Sequence, residues 1–315
     1  MNKLLFVHVP KTAGTSFRQA AEAYFEKKIA LDYGVDAPET SPLVTELIYE
    51  RGDNWTFYKT LDGQGIRLLG GHFSVRKYLP GMGLRNTIMF LRDPVQRLYS
   101  EYRHFVRHKD YTKSFADFYK TPNRINVQSK RFNNLPVEAI GFLGVTERYD
   151  SALQMINDNY QLELRSLARN KGRWSVKWDH DIDPADVVEI EQLHRTDREF
   201  YTYVCRLFNQ REALFTQGFA YVHGAFKGVI RGFAQGWAWW SNNRDDPVEL
   251  LVRVNGEPVD SVLAKIFRPE LCLFSPPRGA YVGFELPVTV KSGDTLDFQV
   301  RETGQVFPLE PQVIE

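Results

Sequence analysis

The sequence predicts an α/β domain over residues 1–217 followed by a small all-β domain, a β-sandwich, over residues 218–315. Three observations carry that expectation. Four short apolar segments, Leu4 to Val9, Ile66 to Gly71, Thr87 to Leu91 and Ile140 to Val145, are separated by stretches of helical periodicity, the rhythm of a parallel sheet with crossover helices. Past Gly218 the pattern changes to the strand-like runs "GVIRGFAQGWAWW", "VELLVRVNGEPVDSVLA", "YVGFELPV" and "DTLDFQVRE". Within the second of these, Asn255-Gly256 is a strong hairpin turn signal.

The helices come next. Their spacing of apolar residues predicts Ser16 to Phe25, Val95 to Val106, Tyr149 to Asn157, and one long helix from Pro184 to about Asn209. On the last, Val188, Leu193, Phe200, Tyr203, Val204 and Leu207 form one apolar side that closes the first domain. The chain of 315 residues is 43% hydrophobic and 14% aromatic, enough to fill such cores. Forty Lys and Arg nearly balance thirty-nine Asp and Glu, so bulk charge selects neither nucleic acid, an anionic membrane nor an acidic partner, and any anion site must be local. Cys205 and Cys272 lie far apart without metal-like spacing, which argues against a disulfide framework or a zinc site. No run approaches the roughly 20 apolar residues that span a bilayer, and the chain begins directly with a strand-like segment, so a soluble cytoplasmic protein is expected.

The opening "LLFVHVPKTAGTSFRQA" places a strand, a short loop and a helix start in succession. A helix amino end there gathers unpaired N–H groups and the positive end of the helix dipole, the makings of an anion cradle. Gly14 admits close backbone approach, Thr15 and Ser16 offer hydroxyls, and Lys11 brings a mobile positive charge. The alternative is a capped helix after an ordinary turn. The lysine precedes the glycine, unlike the Gly-Lys-Ser/Thr ending of a Walker A loop.

A second strand, turn and helix follows in "TIMFLRDPVQRLYSEYRHF", with Arg92 at the strand end, Pro94 suited to the first helical turn and Ser100 eight residues after Arg92. Here the alternative is an Asp93 cap with exposed basic residues.

Together, "HVPKTAGTSF" and "FLRDPVQRLYSEY" resemble the 5′-phosphosulfate loop and the 3′-phosphate motif of sulfotransferases that use 3′-phosphoadenosine 5′-phosphosulfate, PAPS. The resemblance is best to the branch containing heparan sulfate 2-O-sulfotransferase and related bacterial carbohydrate enzymes, and spans roughly residues 3 to 210. It implies a three-layer, P-loop-like parallel sheet. It also implies that Lys11, Thr12, Ala13, Gly14, Thr15 and Ser16 hold the 5′-phosphosulfate and that Arg92 and Ser100 hold the 3′-phosphate. His72, after "IRLLGG" at the carboxyl end of a predicted strand, is the expected general base, because an imidazole titrates near working pH and ligands gather at such strand ends. The resembled branch carries its base in a Gly-His at this place. Lys11 would stabilise the departing phosphate oxygen, and no metal is expected.

Asn126, Gln128 and Arg131 in "INVQSKRFNN" are candidate contacts to acceptor or cofactor, or simply a solvated loop. Arg169, Lys171, Gly172 and Arg173 in "ARNKGRWSVKW" are a candidate flap over the 3′-phosphate, with a solvated basic loop as the alternative. Alternation puts Trp237 and Trp239 on one side of a strand and turns Trp240 outward; core packing is favoured over a sugar platform. The C-terminal segment also resembles accessory modules of bacterial carbohydrate-active enzymes, which points to a carbohydrate acceptor. Loops of the first domain, chiefly "YGVDAPETSP" and residues 107–135, would shape the acceptor pocket. The competing readings are an ATP-dependent P-loop-type kinase and a glycan- or nucleotide-binding scaffold without turnover.

Overall fold

A computed structural model describes residues 3–166 and 182–314. In the first part the elements are β1 (Leu4–Val7), α1 (Gly14–Phe25), β2 (Ile29–Asp32), α2 (Pro42–Val44), α3 (Asn54–Gly63), β3 (Leu68–Gly71), α4 (Leu79–Met82), β4 (Thr87–Leu91), α5 (Pro94–His108), α6 (Phe115–Tyr119), α7 (Val127–Phe132), β5 (Phe142–Val145), α8 (Tyr149–Tyr160), α9 (Pro184–Leu193) and α10 (Arg195–Thr216). The fold is α/β, with one five-stranded parallel sheet in the order β2-β3-β1-β4-β5. Every residue of β1, β3, β4 and β5 is buried, which is why these strands read as continuous apolar runs without alternation.

The chain passes from β1 outward to β2, returns to β3 beside β1, and then crosses β1 to reach β4. The direction of winding therefore reverses at β1. Right-handed crossovers consequently leave the connections that follow the adjacent strands β1 and β4 on opposite faces of the sheet, and a crevice opens beyond the carboxyl ends of these strands.

Strand β2 was not anticipated from the sequence. It is an edge strand of four residues with only alternate burial, preceded by the polar Glu26, Lys27 and Lys28, so its apolar signal is short and diluted. The long helix expected from Pro184 is two helices. His194 breaks it at φ −107°, ψ 28°, turning its ring inward so that Nδ1 accepts from the Asn126 N–H at 3.4 Å and Nε2 faces the Tyr119 carbonyl at 3.3 Å. Val188 is exposed rather than part of one apolar side, because α9 and α10 present different faces to the core across that break.

Beyond α10 come β6 (Val222–Ile230), β7 (Phe233–Trp240), β8 (Glu249–Val254), β9 (Glu257–Leu263), β10 (Ile266–Phe267), β11 (Tyr281–Pro287), β12 (Thr295–Val300) and β13 (Val306–Val313). They form two four-stranded antiparallel sheets, ordered β10-β11-β7-β6 and β13-β12-β8-β9. Both sheets contribute to one core, with Ala238, Trp240 and Phe284 from the first and Leu250, Leu296 and Phe298 from the second. Asn255 and Gly256 make the turn between β8 and β9, both at positive φ as a tight hairpin of this kind requires.

Trp237, Trp239 and Trp240 on β7 are all buried, Trp240 at 3% exposure, so the expectation that Trp240 turns outward is corrected. Alternation along β7 holds, but from Gly236 to Trp240 both faces are buried. Trp237 and Trp239 stack with centroids 4.5 Å apart and join the core of the parallel-sheet region, while Trp240 joins the core between the antiparallel sheets. The two regions meet at the amino ends of β4 and β5: Tyr221 donates its hydroxyl to the Gly141 carbonyl at 3.1 Å, and Leu84 N–H donates to the Phe274 carbonyl at 2.9 Å. The carboxyl ends of the parallel strands are left open at the opposite side of the sheet. Among the described residues, no helix is long and apolar enough to cross a membrane.

Candidate active site

Three strand ends supply the site. After β1 the chain runs through His8, Val9 and Pro10 into a turn in which Lys11 (φ 68°) and Ala13 (φ 64°) are both left-handed, a conformation that costs a non-glycine residue about 1–2 kcal/mol. Such strain persists where a backbone shape is needed. Thr12 turns inward and donates its hydroxyl to the Val9 carbonyl at 2.9 Å, pinning the turn. Helix α1 then starts at Gly14 with no side-chain cap and no acidic residue in its first turn, so its amino end faces outward electropositive. Gly14 has a specific steric reason: a Cβ there would lie 1.9 Å from Cδ2 of His8. Thr15 is exposed at the mouth, and Ser16 is buried behind it. Burial pushes the Lys11 ammonium below its ordinary range, and the Glu101 carboxylate partly opposes this.

After β4, Arg92 is 5% exposed and its backbone is held on both sides by Gln128, whose Oε1 accepts the Arg92 N–H at 3.0 Å and whose Nε2 donates to the Arg92 carbonyl at 2.9 Å. The guanidinium reaches the Lys11 carbonyl at 3.4 Å and Gln96 at 3.5 Å, both long contacts, and its buried Nε has no partner among the described residues. Asp93 caps α5 by accepting from Gln96 N–H at 3.0 Å, and Pro94 occupies the first turn. The Asp93 cap of the alternative reading is thus present, but Arg92 beside it is buried rather than an exposed basic residue. Ser100 lines the same cleft as Arg92 and Lys11.

After β3, His72 completes the set. Its backbone N–H donates to the Asp32 carbonyl at 2.9 Å, an approach so close that a side chain at Gly71 would fall on that carbonyl. Its ring stands edge-on to two others, His8 and Tyr33, each with centroids 4.6 Å away. Tyr33 Oη lies 2.9 Å from His8 Nδ1. Burial, and then the positive charges of Arg131, Arg18 and Lys11, lower the His72 pKa to about 4. Burial and His72 itself hold His8 well below its ordinary value in the same way. Both imidazoles are uncharged at neutral pH.

These groups surround one cleft of about 580 Å³, lined among others by His8, Lys11, Ser16, His72, Arg92 and Ser100. No protein-family model matches the sequence, and no curated protein does.

The chemistry therefore rests on the cleft. It brings together Lys11, Ala13, Gly14, Thr15, Ser16, His72, Arg92 and Ser100, while Thr12 lies beneath its floor. Asn126 and Gln128 do not line it. Gln128 is fully buried as the clamp on Arg92, and Asn126 Oδ1 accepts from the Asp197 N–H at 3.1 Å, tying α7 to α10. Arg131, also on α7, ranks first among the positive charges that bear on His72. Arg169, Lys171, Gly172 and Arg173 lie outside the described residues. Sequence reasoning did not single out Arg18, Glu39, Glu101 or Tyr33, all of which line the cleft. Glu101 adjoins Ser100, and Tyr33 and Glu39 fall in the loop already marked as a pocket wall, so proximity was the available signal.

Proposed function

We propose that this chain is a sulfotransferase that moves the sulfuryl group of PAPS to a carbohydrate hydroxyl, on a parallel sheet of the P-loop-like sulfotransferase type. The observation that supports it is the convergence on one cleft of Lys11 beside the uncapped α1 amino end, Arg92 with Ser100, and an uncharged His72. The donor set suits such a ligand. Arg92 has only long contacts and an unpartnered buried Nε, which a phosphate would satisfy, and a separate cluster of N–H groups and hydroxyls serves a second anion.

Bound there, PAPS supplies an activated sulfuryl group and a stable leaving group. The turn at Lys11 to Ser16 would hold the 5′-phosphosulfate, and Arg92 with Ser100 the 3′-phosphate. His72 would take the proton from the acceptor hydroxyl as its oxygen bonds to sulfur, while Lys11 faces the phosphate oxygen that keeps the electron pair of the breaking S–O bond. Its low pKa ensures that His72 is free of a proton, and phosphate charge placed against Lys11 would raise its basicity when it is needed. Arg92 would distinguish PAPS from ATP, since a nucleotide without a 3′-phosphate leaves that guanidinium unpaired. Tyr33, Arg18 and Glu39 are then left to the acceptor side. Both cysteines are free, which fits a reducing, cytoplasmic setting.

Calorimetric titration with adenosine 3′,5′-bisphosphate, ATP and ADP tests the reading. Tight binding of the bisphosphate alone, followed by sulfuryl transfer in a screen of glycans, is the expected result. Preference for ATP would overturn it in favour of a kinase, and a folded protein that binds no nucleotide would favour a scaffold.

A further inference from the structure

One carboxylate sits among the cations of the phosphate side of the cleft. Glu101, next to Ser100 on α5, lines the cleft with Lys11 and Arg92. Its Oε2 accepts from Arg97 Nη1 at 2.8 Å, and Arg97 is itself 1% exposed with Nε and Nη2 unpartnered among the described residues. Glu101 is also the negative charge that offsets the burial of Lys11 and of Arg131. The other cleft carboxylate, Glu39, bears on Tyr33 instead. With its side chain 14% exposed, Glu101 is poorly screened by water.

Cations held out of water without an anion are costly, so Glu101 stabilises the ligand-free cleft. A phosphate entering beside Lys11 must approach the same carboxylate, and like charges in a partly desolvated space repel. We propose that Glu101 is the resident counter-anion of this cleft, competing with the ligand's phosphate groups for Lys11 and so limiting affinity and speeding release of the bisphosphate product. The inference rests on the donor reading above. It explains a carboxylate in a place where an anion site has no use for one.

The test is calorimetric titration of wild type, Glu101→Gln and Glu101→Asp with adenosine 3′,5′-bisphosphate and, separately, with inorganic pyrophosphate, at low and high salt. Glu101→Gln keeps an acceptor for Arg97 but loses the charge, and is expected to bind about 3- to 10-fold more tightly at low salt, the gap narrowing as salt rises. Glu101→Asp, which draws the charge back, is expected to shift affinity in the same direction by less, and it carries the test if the glutamine variant does not fold. Unchanged or weaker binding in the folded variants would overturn the proposal. If wild type binds pyrophosphate but not the bisphosphate, the donor reading fails while the pyrophosphate series still decides the role of Glu101.

Discussion

At the scale of single residues, the site depends on charges that are partly buried and incompletely paired. If Arg92 holds the 3′-phosphate as proposed, Arg92→Ala is expected to lower affinity for adenosine 3′,5′-bisphosphate about 10- to 100-fold while ATP affinity changes little; titration of the variant measures this. For His72→Ala the expectation is opposite in kind, with bisphosphate binding retained and sulfuryl transfer reduced on the order of 10²- to 10⁴-fold. His72 also couples stability to pH. Its folded-state value of about 4 lies below the ordinary 6.5, so between these values the unfolded chain binds a proton that the folded chain refuses. The stability from this group is complete above about pH 6.5 and is lost as pH falls toward 4, and His8 acts in the same direction. Thermal unfolding followed across that window is expected to show a falling Tm, with a shallower fall in His72→Gln.

At the scale of elements, each strand end is locked by a neighbour. The turn before α1 tolerates only glycine at position 14, because the His8 ring fills the space that a side chain would need. Gly14→Ala is expected to displace that ring or the turn, destabilising the protein by about 1–3 kcal/mol and weakening bisphosphate binding, read by Tm and by titration. Gln128 does for β4 what no residue of β4 can do for itself, pairing both backbone groups of Arg92 from another helix. Gln128→Leu leaves that buried N–H and C=O unsatisfied at about 1–3 kcal/mol each, and is expected to lower both stability and bisphosphate affinity although position 128 does not line the cleft. The element boundaries were partly legible in the sequence. Val95 to Val106 and Tyr149 to Asn157 fall within observed helices, because periodic apolar residues and a Pro near the first turn are local signals. The break at His194 was not legible, since it is stabilised by Asn126 and Tyr119, which are about seventy residues away in sequence.

At the scale of the whole molecule, the two regions share buried surface. Trp237 and Trp239 belong to the same core as the parallel sheet, so Trp237→Ala is expected to cost about 3–5 kcal/mol and to destabilise the α/β region as well as its own sheet. Hydrogen exchange would show reduced protection in β4 and β5 as well as in β7; protection lost in β7 alone would contradict the coupling. The same contact places the antiparallel sheets at the amino ends of the parallel strands, opposite the cleft, which separates the buried tryptophans from the chemistry. What the sequence determined by itself was the succession of apolar runs, caps and turns, and with it the α/β region, the strand-rich remainder and the residues at strand ends, His72 and Arg92 among them. These follow from interactions within a few residues. The tertiary structure alone decided that Tyr33 and His8 brace His72, that Glu101 stands among the cations, and that the tryptophans of β7 are buried on both faces. The physical reason is that strand order and burial arise from contacts between distant segments, and periodicity along the chain carries no record of which segments those are.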